Sequence, residues 1–469
     1  MLFSSTIFLF LFLPFVLGLY FIIPKSTKNL FILFSSLFFY AWGEKELVLL
    51  MILSIVMNYL FGLKLSKLIE QNKYLASKWI LGCGVSLNLI ILIYYKYIGF
   101  LFESFNSVGL NLDIPKITLP IGISFFTFQS ISYLIDVYRK EVEGQKNILN
   151  LGMYIALFPQ LIAGPIVRYA DIAKEIAHRT VTKSLFISGI NRFIIGFSKK
   201  ILIANSVALV ADKIFDIPPL ELSTSLSWIG IICYSLQIYY DFSGYSDMAI
   251  GLGRMFGFNF NENFQHPYSA KSMKEFWQRW HISLSSWFKD YLYIPLGGNR
   301  KGNIRTYINL FIIFFLTGLW HGSSWNFIIW GLFHGVFLIS EKFLQYKIPK
   351  SLLFLSQSYV LLIVLLSWVF FRADNINFAF DYIYNMFVYN SGTNNYPYIF
   401  INNYVIISII VGIIFSFPVR KKLEQKLNEI KINIVLKSLL LQFTYFILFL
   451  FSIFELAQNT YNPFIYFRF

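Results

Sequence analysis

The sequence contains few charged residues. Asp, Glu, Lys and Arg make up 13% of its 469 residues, whereas a soluble globular domain has about 25%. Hydrophobic residues reach 57%, and the mean hydropathy is +0.61. This composition excludes an ordinary soluble domain and indicates an integral membrane protein embedded in the lipid bilayer.

Cysteine is also scarce. Cys83 and Cys233 both lie in apolar runs, and two such residues support neither a disulfide framework nor a zinc site. The histidines of the second half are too far apart in sequence for a helical metal motif: His266, His281, His321 and His334. We therefore expect no bound metal.

Sequence features of several other classes of protein are missing as well. The first basic residue is Lys25, so the N-terminal apolar run indicates a retained span rather than a cleaved signal. No internal repeat, low-complexity tract or flexible linker is visible, and we expect one integral domain over residues 1–469. The net charge of +15 is assigned to topology-setting loops, because no soluble basic domain exists to bind nucleic acid.

Apolar runs recur along the whole chain and predict an all-α, polytopic membrane protein. A run of about 20 residues crosses a bilayer as a helix. Counting short and interrupted runs, we expect roughly eleven spans: Thr6–Ile23, Leu30–Trp42, Leu47–Leu63, Trp79–Phe102, Ile117–Ile135, Leu185–Ile214, Leu226–Tyr240, Ile308–Trp330, Leu352–Phe371, Val405–Phe417 and Val435–Phe454.

The charges between these runs predict the orientation of the chain. The positive-inside rule makes basic loops cytoplasmic, which places Met1 outside. Such loops follow the first, third and fifth runs and recur late: Lys25 and Lys28; Lys64, Lys67, Lys73 and Lys78; Arg139, Lys140 and Lys146; and Arg420–Lys431.

One apolar segment is interrupted. Leu151–Arg168 contains Pro159, Gly164 and Pro165, which break a helix, and both of its flanks are basic. Broken backbone at membrane depth is tolerated only where protein or water surrounds it. We predict a re-entrant hairpin that starts and ends in the cytoplasm, with a proline-kinked span as the alternative.

The stretch Thr306–Ser340 contains no Asp, Glu, Lys or Arg but holds His321 and His334. An ionisable residue within an apolar span is costly and marks a functional site. A buried neutral imidazole takes a proton from a hydroxyl and favours attack on an acyl group, without a metal or a nucleophilic side chain. Hydrogen-bonded packing is the alternative role for each histidine, and for His266.

The region Asp241–Arg305 is polar and rich in aromatic residues, which indicates short interfacial or partly buried helices. Lys274–Trp287 suits one helix, on which Trp277 and His281 are four residues apart and share a face. No Gly-x-Ser-x-Gly elbow is present, and Gly251–Gly257 has one residue too many for a dinucleotide fingerprint.

Two aspartates, Asp241 and Asp247, follow the apolar run that ends at Tyr240. Because a carboxylate in lipid is costly, we expect each to cap a helix, pair with a basic residue or line a cavity. A transporter or channel would use such residues as a permeation path, but the inverted repeats of many transporters are not visible. A structural scaffold would not explain polar motifs at membrane depth.

Six motifs stand in order along the chain: Leu119–Arg139, Phe158–Pro165, Asp241–Asp247, Glu275–Trp287, Tyr291–Arg300 and Thr317–Gly322. Together they resemble the membrane-bound O-acyltransferase family, with the core of the likeness in residues 241–341. The likeness is closest to the bacterial branch of alginate O-acetylation membrane subunits, with peptidoglycan O-acetylation and teichoic-acid D-alanylation relatives nearby. It implies a multi-spanning helical fold with a central tunnel.

The resemblance also implies residue roles. The family's principal catalytic histidine matches His321, and its second histidine matches His281, 40 residues earlier. By this likeness His321 is a general base or positions the acceptor, whereas His281 orients the donor or stabilises charge; His334 matches neither position. The candidate tunnel or pocket residues, for which pairing and packing are the alternative, are Trp320, Arg279, Trp280, Asp241 and Tyr245.

The reaction that the resemblance implies uses acetyl-coenzyme A, or another acyl thioester, as a cytoplasmic donor, with no permanently bound cofactor. The acetyl group passes outward to a carrier or an extracytoplasmic acyltransferase and modifies a hydroxyl of alginate, another exopolysaccharide or peptidoglycan. The expected location is the bacterial plasma membrane. D-alanyl transfer to teichoic acid is the alternative within this class.

Overall fold

A computed structural model describes residues 1–162, 164–345, 352–392, 397–419, 425, 433–458, 461–462 and 465. These residues form helices and turns but no strand, so the predicted all-α class is confirmed. They cluster into two compact units, Met1–Phe193 with Met248–Asn261, and Ile194–Asp247 with Glu262–Phe469. The clustering does not test the single domain expected over residues 1–469, which stays a prediction.

The first unit centres on α3, which packs against α4, α6 and α7. Asn58 of α3 and Asn88 of α4 exchange side-chain hydrogen bonds of 3.1 and 2.8 Å, and these bonds satisfy both amides in an apolar interior. The helices are α1 (Leu13–Ile22), α2 (Lys28–Glu44), α3 (Val48–Glu70), α4 (Tyr74–Leu92), α5 (Ile98–Ser107), α6 (Ile123–Tyr138), α7 (Ile148–Ala156), α8 (Phe158–Leu161), α9 (Tyr169–Ala177) and α10 (Lys183–Ser198), the last continuing into the second unit.

The interruption predicted within Leu151–Arg168 is present. Helix α7 ends at Ala156, and after the non-helical Leu157 the short α8 follows. Residues 151–162 are all buried, whereas residue 163 lies outside the described residues. Gln160 Nε2 donates to Tyr154 O at 2.6 Å across the break. The irregular backbone is thus enclosed by protein, as membrane depth requires, and the re-entrant orientation stays a prediction.

The second unit contains the site motifs and combines long helices with short ones. Helix α12 is the longest, and its residues from Met248 onward belong to the first unit. The helices are α11 (Asn205–Phe215), α12 (Thr224–Phe256), α13 (Met273–Arg279), α14 (Ile282–Phe288), α15 (Gly302–His321), α16 (Trp325–Phe343), α17 (Leu353–Arg372), α18 (Ile376–Phe387), α19 (Pro397–Phe400), α20 (Asn403–Ser416) and α21 (Ile434–Gln458).

Helix α12 extends beyond the apolar run Leu226–Tyr240 at both of its ends. The helix continues through both aspartates. Asp241 lies 2.8 Å from Lys200, and Asp247 lies 2.8 Å from Lys199; both lysines belong to a π-helical turn between α10 and α11. Pairing with basic residues was one of the three expected roles of these aspartates, and it allows polar side chains on a buried helix.

The apolar run Ile308–Trp330, counted as one candidate span, covers parts of two helices, α15 and α16. Their backbones approach closely at Gly318 and Gly331. A Cβ on Gly331 would overlap Phe314 O, and a Cβ on Gly318 would overlap Phe327 O. Small residues at such positions are typical of helix pairs in membranes.

An integral, polytopic membrane protein is confirmed by the helices of the described chain. Six helical segments are long and apolar enough to cross a membrane: Lys25–Glu70, Tyr74–Ser107, Lys183–Phe215, Gly302–His321, Leu353–Arg372 and Val435–Gln458. Phe8–Ile22 and Asn403–Ser416 are shorter apolar helices. The count of roughly eleven spans included such short runs and stays a prediction. The late basic segment Arg420–Lys431 lies outside the described residues, except for residue 425.

Candidate active site

His321 is the last residue of α15, and the turn that follows fixes its position. Gly322 adopts an extended conformation and ends the helix. A Cβ on Gly322 would overlap the ring of Phe327 on α16, so only glycine permits this tight turn. The resulting close packing leaves His321 only 5% exposed.

Aromatic rings enclose the imidazole of His321. The ring centroids of Trp320 and Trp330 both lie 4.9 Å from that of His321, and the Phe371 centroid lies at 5.3 Å. All three rings meet the imidazole at interplanar angles of 75° or more, the edge-to-face arrangement that aromatic pairs favour. The site is therefore apolar and closed to bulk water, which strengthens electrostatic interactions with a bound substrate.

His281 lies at a break between two helices, so the predicted single helix Lys274–Trp287 is wrong. Helix α13 ends at Arg279, His281 is left-handed with φ 45°, and α14 starts at Ile282. Trp277 and His281 consequently do not share a helical face. The break is held by tertiary hydrogen bonds: the N–H of Gln265 donates to the Arg279 carbonyl at 2.9 Å, and that of Ile282 to the Asn263 carbonyl at 3.0 Å.

The His281 side chain is fully buried and hydrogen bonded on one side. Its Nδ1 lies 3.2 Å from Asn263 Oδ1. The same oxygen accepts the backbone N–H of Ser283 at 3.1 Å and the Ser283 hydroxyl at 2.9 Å. Burial lowers the pKa of His281 to about 3, so the imidazole is neutral at physiological pH.

The fold places His281 and His321 side by side. Their ring centroids are 6.4 Å apart, although 40 residues separate them in sequence. Trp320 contacts both rings, at 5.8 Å from His281 and 4.9 Å from His321. The two histidines that the family motifs singled out thus share one buried site, and their catalytic roles stay a prediction.

A small cavity of about 10 Å³ lies beside His321, with room for about one water. The described residues contain no group of three or more His, Cys, Asp and Glu side chains able to hold a metal ion. The cavity is lined by Ile238, Phe242, Trp280, His321, Trp330, Trp368, Phe371 and Ile465.

Asp241 and Tyr245 lie one turn apart on α12 and are both buried. Asp241 binds Lys200 through Oδ1 and accepts the backbone N–H of Ile465 through Oδ2 at 2.8 Å. Since Ile465 lines the small cavity, Asp241 acts on the wall of that cavity through the main chain. Tyr245 is not among the residues that line it.

Trp280 and Arg279 are neighbours with different surroundings. Trp280 is buried and lines the small cavity. The Arg279 side chain is about one-third exposed and forms an ion pair with Glu275 at 2.5 Å, with a further bond to Ser269 Oγ at 2.8 Å. The structure therefore joins Trp280 to the histidine site and leaves Arg279 in a separate ion pair.

The other two histidines named in the sequence do not join the pair. His334 is fully buried and packs against Phe276, Trp277 and Trp330, with ring centroids 5.0–6.0 Å away. His266 is a left-handed residue before the 3-10 turn Pro267–Ser269. Neither ring nitrogen of His334 has a hydrogen-bond partner among the described residues, so the hydrogen-bonded packing named as its alternative role is not found there.

A second cavity of about 950 Å³ lies within the same unit and was not predicted from the sequence. Ligand pockets commonly measure about 300–1,000 Å³. Its wall includes Ile282, directly after His281, and Thr317, one turn before His321. The exposed Lys274 and Lys289 also line it. In the sequence, these two lysines beside an aromatic motif are the only feature that indicates the cavity.

The buried part of this cavity is apolar, with Trp277 and Phe314 among its lining residues. The carboxylate of Glu341 also lines it and accepts the backbone N–H groups of Met273 and Lys274, at 2.6 and 3.2 Å. Glu341 thereby caps the start of α13, where a negative charge is favourable. The cavity combines a basic, exposed end with an apolar interior.

Comparisons with known proteins agree with this architecture. Residues 124–380 match the model of the membrane-bound O-acyltransferase family. The chain is 44% identical to a probable alginate O-acetylase of Azotobacter vinelandii over 84% of this chain and 79% of the relative, and 39% identical to the Pseudomonas putida protein of that name over the whole of both chains. A peptidoglycan O-acetyltransferase of Helicobacter pylori is 36% identical over 82% and 80%.

A teichoic acid D-alanyltransferase of Bacillus subtilis is a more distant match. It is 31% identical over 48% of this chain and 59% of the relative. The family match covers more than half of the described sequence, and it includes both histidines of the buried pair. The chain is thus an O-acyltransferase, and it belongs to the membrane-bound O-acyltransferase family.

Proposed function

We propose that this O-acyltransferase moves an acetyl group from cytoplasmic acetyl-coenzyme A to a hydroxyl of an extracytoplasmic polysaccharide. The alginate and peptidoglycan relatives align with 84% and 82% of this chain. The D-alanyltransferase aligns with only 48%, so D-alanyl transfer is the second candidate. Alginate, another exopolysaccharide and peptidoglycan all fit this acceptor class.

The observation that carries the proposal is the buried pair of His281 and His321, closed off from water by aromatic rings. In the proposed reaction, His321 takes the proton of the acceptor hydroxyl while the hydroxyl oxygen attacks the thioester carbonyl carbon. The carbon–sulfur bond then breaks, and the proton passes from His321 to the leaving thiolate. Atoms and charge balance without a metal or a covalent enzyme intermediate.

The 950 Å³ cavity supports a coenzyme A thioester as donor. Exposed Lys274 and Lys289 suit the phosphates, because ammonium groups bind phosphate as point charges. The apolar part, with Phe314 and Thr317, suits the uncharged arm that carries the acetyl group. The cavity wall reaches Ile282, directly after His281, and Thr317, one turn before His321.

The loop charges support the direction of transfer. Under the positive-inside rule, Met1 is extracytoplasmic, and the basic segment with Lys64 and Lys67 at the end of α3 and Lys73 after it is cytoplasmic, in the plasma membrane of a bacterium. The acetyl group leaves on the opposite side, either directly to the polysaccharide or through an extracytoplasmic acyltransferase or carrier partner.

His321→Ala tests the proposal. Removal of a general base lowers acetyl transfer by about 10²- to 10⁴-fold. The assay follows transfer from labelled acetyl-coenzyme A to the acceptor by protein in bilayers. His334→Gln is the matched control, because it changes a buried histidine of the adjacent helix outside the pair, and it should retain transfer. Wild-type transfer by a correctly inserted His321→Ala would contradict the proposal. Flux of a solute without covalent transfer would instead support a transporter.

A further inference from the structure

We propose that Asn263 is a positioning residue that fixes the tautomer of His281, so that Nε2 is an unprotonated hydrogen-bond acceptor in the active site. The predicted consequence for acyl transfer rests on the proposed function. The tautomer itself follows from hydrogen-bond geometry and is tested separately below.

The orientation of the Asn263 side chain is set by Ser283. The backbone N–H of Ser283 points to the terminal amide atom at 3.1 Å, and the Ser283 hydroxyl lies 2.9 Å from the same atom. A backbone N–H donates and cannot accept. The atom that faces it is therefore the oxygen, which removes the usual ambiguity between the two ends of an amide.

His281 Nδ1 lies 3.2 Å from this oxygen. Two lone pairs at that distance repel each other, so Nδ1 must carry a hydrogen and donate it. The Ser283 hydroxyl, 3.5 Å from Nδ1, directs its hydrogen to Asn263 and turns a lone pair toward the imidazole. A neutral imidazole has one N–H, and with that hydrogen on Nδ1 the other nitrogen, Nε2, is bare.

Nε2 is buried and has no hydrogen-bond partner within the described part of the chain. The nearest rings belong to Phe242 and Trp320, whose centroids lie 4.7 and 5.8 Å from the His281 ring centroid. An unsatisfied buried acceptor is costly, and it calls for a ligand that donates. Among the groups of the proposed reaction, the hydroxyls of the acceptor sugar that do not react can donate to it.

This tautomer decides between roles for His281. A bare Nε2 has no hydrogen to offer to the oxygen of a thioester carbonyl, so His281 does not stabilise the negative charge that develops there. It instead accepts a hydrogen bond from a neighbouring hydroxyl of the acceptor sugar and holds the sugar in place, while the attacking hydroxyl gives its proton to His321. Asn263 also anchors the main chain here, because its carbonyl accepts the N–H of Ile282 at 3.0 Å.

The test is ¹⁵N NMR of histidine-labelled, full-length protein in bilayers. The chain has five histidines, and the His281 signal is identified by its loss in His281→Gln. We expect a protonated Nδ1 and an unprotonated Nε2 in the wild type and in Asn263→Asp, whose carboxylate still accepts from Nδ1. A wild-type His281 protonated on Nε2 would overturn the inference, whatever the activity of the protein.

Kinetics test the positioning role. Asn263→Leu should lower the turnover of acetyl transfer by about 10- to 100-fold with little change in KM for the donor, whereas Asn263→Asp should recover most of it. Asn385→Leu is the matched control, since Asn385 is a buried amide of the same unit that bonds to the Pro219 carbonyl. Equal loss of turnover in Asn263→Leu and Asn385→Leu would contradict the role.

Failure of the proposed function is distinguishable from failure of this inference. The expected tautomer in a wild-type protein that transfers no acyl group would support the Asn263 assignment and count against the reaction. If Asn263→Leu does not fold, the wild-type and Asn263→Asp spectra still decide the tautomer.

Discussion

Asp241 shows how one carboxylate is held inside a long apolar helix. Both of its oxygens are engaged, one by the Lys200 ammonium group and the other by the backbone N–H of Ile465. The charged side chains of the pair are each about 3% exposed or less. Because removing two charges from water is costly, the fold tolerates each buried charge only while its partner is present.

Lys200→Met should destabilise the protein by about 3–5 kcal/mol, because it leaves a buried carboxylate without its counter-charge. The double variant Lys200→Met/Asp241→Asn should recover most of this loss, since the asparagine oxygen still accepts from Ile465. Reversible unfolding in detergent or bicelles measures both. Lys199→Met is the control and should cost less, because Lys199 is 27% exposed and water reaches its site. A double variant as unstable as the single one would contradict this account.

At the residue scale, the sequence predicted the two histidines but not their partners. His321 and His281 lie in motifs whose order along the chain is specific to one protein family. Asn263 stands in a polar stretch with no recognisable pattern, and its role depends on a break that brings it to residues 281–283. Lys200 pairs with Asp241 only because a π-helical turn presents adjacent lysines to one helix.

At the element scale, residues 274–287 show why local pattern was insufficient. The segment contains no glycine or proline, and its spacing suits a continuous helix. The structure breaks it at Trp280 and His281, where main-chain bonds to Asn263 and Gln265 replace helical ones. Tertiary hydrogen bonds thus override local propensity at the position of a site residue, a common place for such conflicts.

The α15–α16 hairpin is a second element whose tertiary packing the local sequence pattern did not reveal. Gly318 and Gly322 have no side chain, so they leave space beside the backbone of α15 near His321. It is occupied by α16, since Phe327 contacts both glycine positions. The glycines therefore serve helix packing, and through that packing they set the position of His321.

Gly331→Ala should disrupt this hairpin, because the added methyl group would overlap the backbone oxygen of Phe314, which cannot move aside as a side chain can. We expect a loss of about 1–3 kcal/mol of stability from overpacking, together with reduced acetyl transfer as His321 shifts. Gly82→Ala in α4 is the control, because no atom lies within 4 Å of its added methyl group. Thermal unfolding and transfer assays on both variants check this; equal behaviour of the two would refute the packing role.

At the scale of the whole molecule, the composition and the fold lead to the same structural class. Low charge and long apolar runs predicted a polytopic helical protein, which the described helices confirm. In the sequence only the lysines beside the aromatic motif indicate the 950 Å³ cavity, because its wall is assembled from α13 to α16 and the turns between them. Its shape depends on the α13–α14 break and on the α15–α16 hairpin, the two features that the sequence did not predict.

Part of the excess of basic residues also has a local role, at the large cavity. The net charge of +15 was assigned to topology, yet Lys274, Lys289 and Lys342 line the large cavity. A cavity with cationic residues at an exposed end attracts anionic ligands and raises their local concentration. Glu341 is the one carboxylate among the lining residues, so the three ammonium groups outweigh it.

Lys274→Ala/Lys289→Ala should therefore raise the KM for acetyl-coenzyme A by roughly 3- to 20-fold, as two exposed charge pairs each contribute up to about 1 kcal/mol. The turnover number should change little, because the phosphates bind equally in the ground and transition states. Salt should raise the KM of the wild type and affect the double variant less, since screening weakens exposed charge pairs. Lys301→Ala is the control: Lys301 is exposed in the same unit but does not line the cavity. A KM that rises equally in the control, or a wild-type KM insensitive to salt, would place the donor phosphates elsewhere.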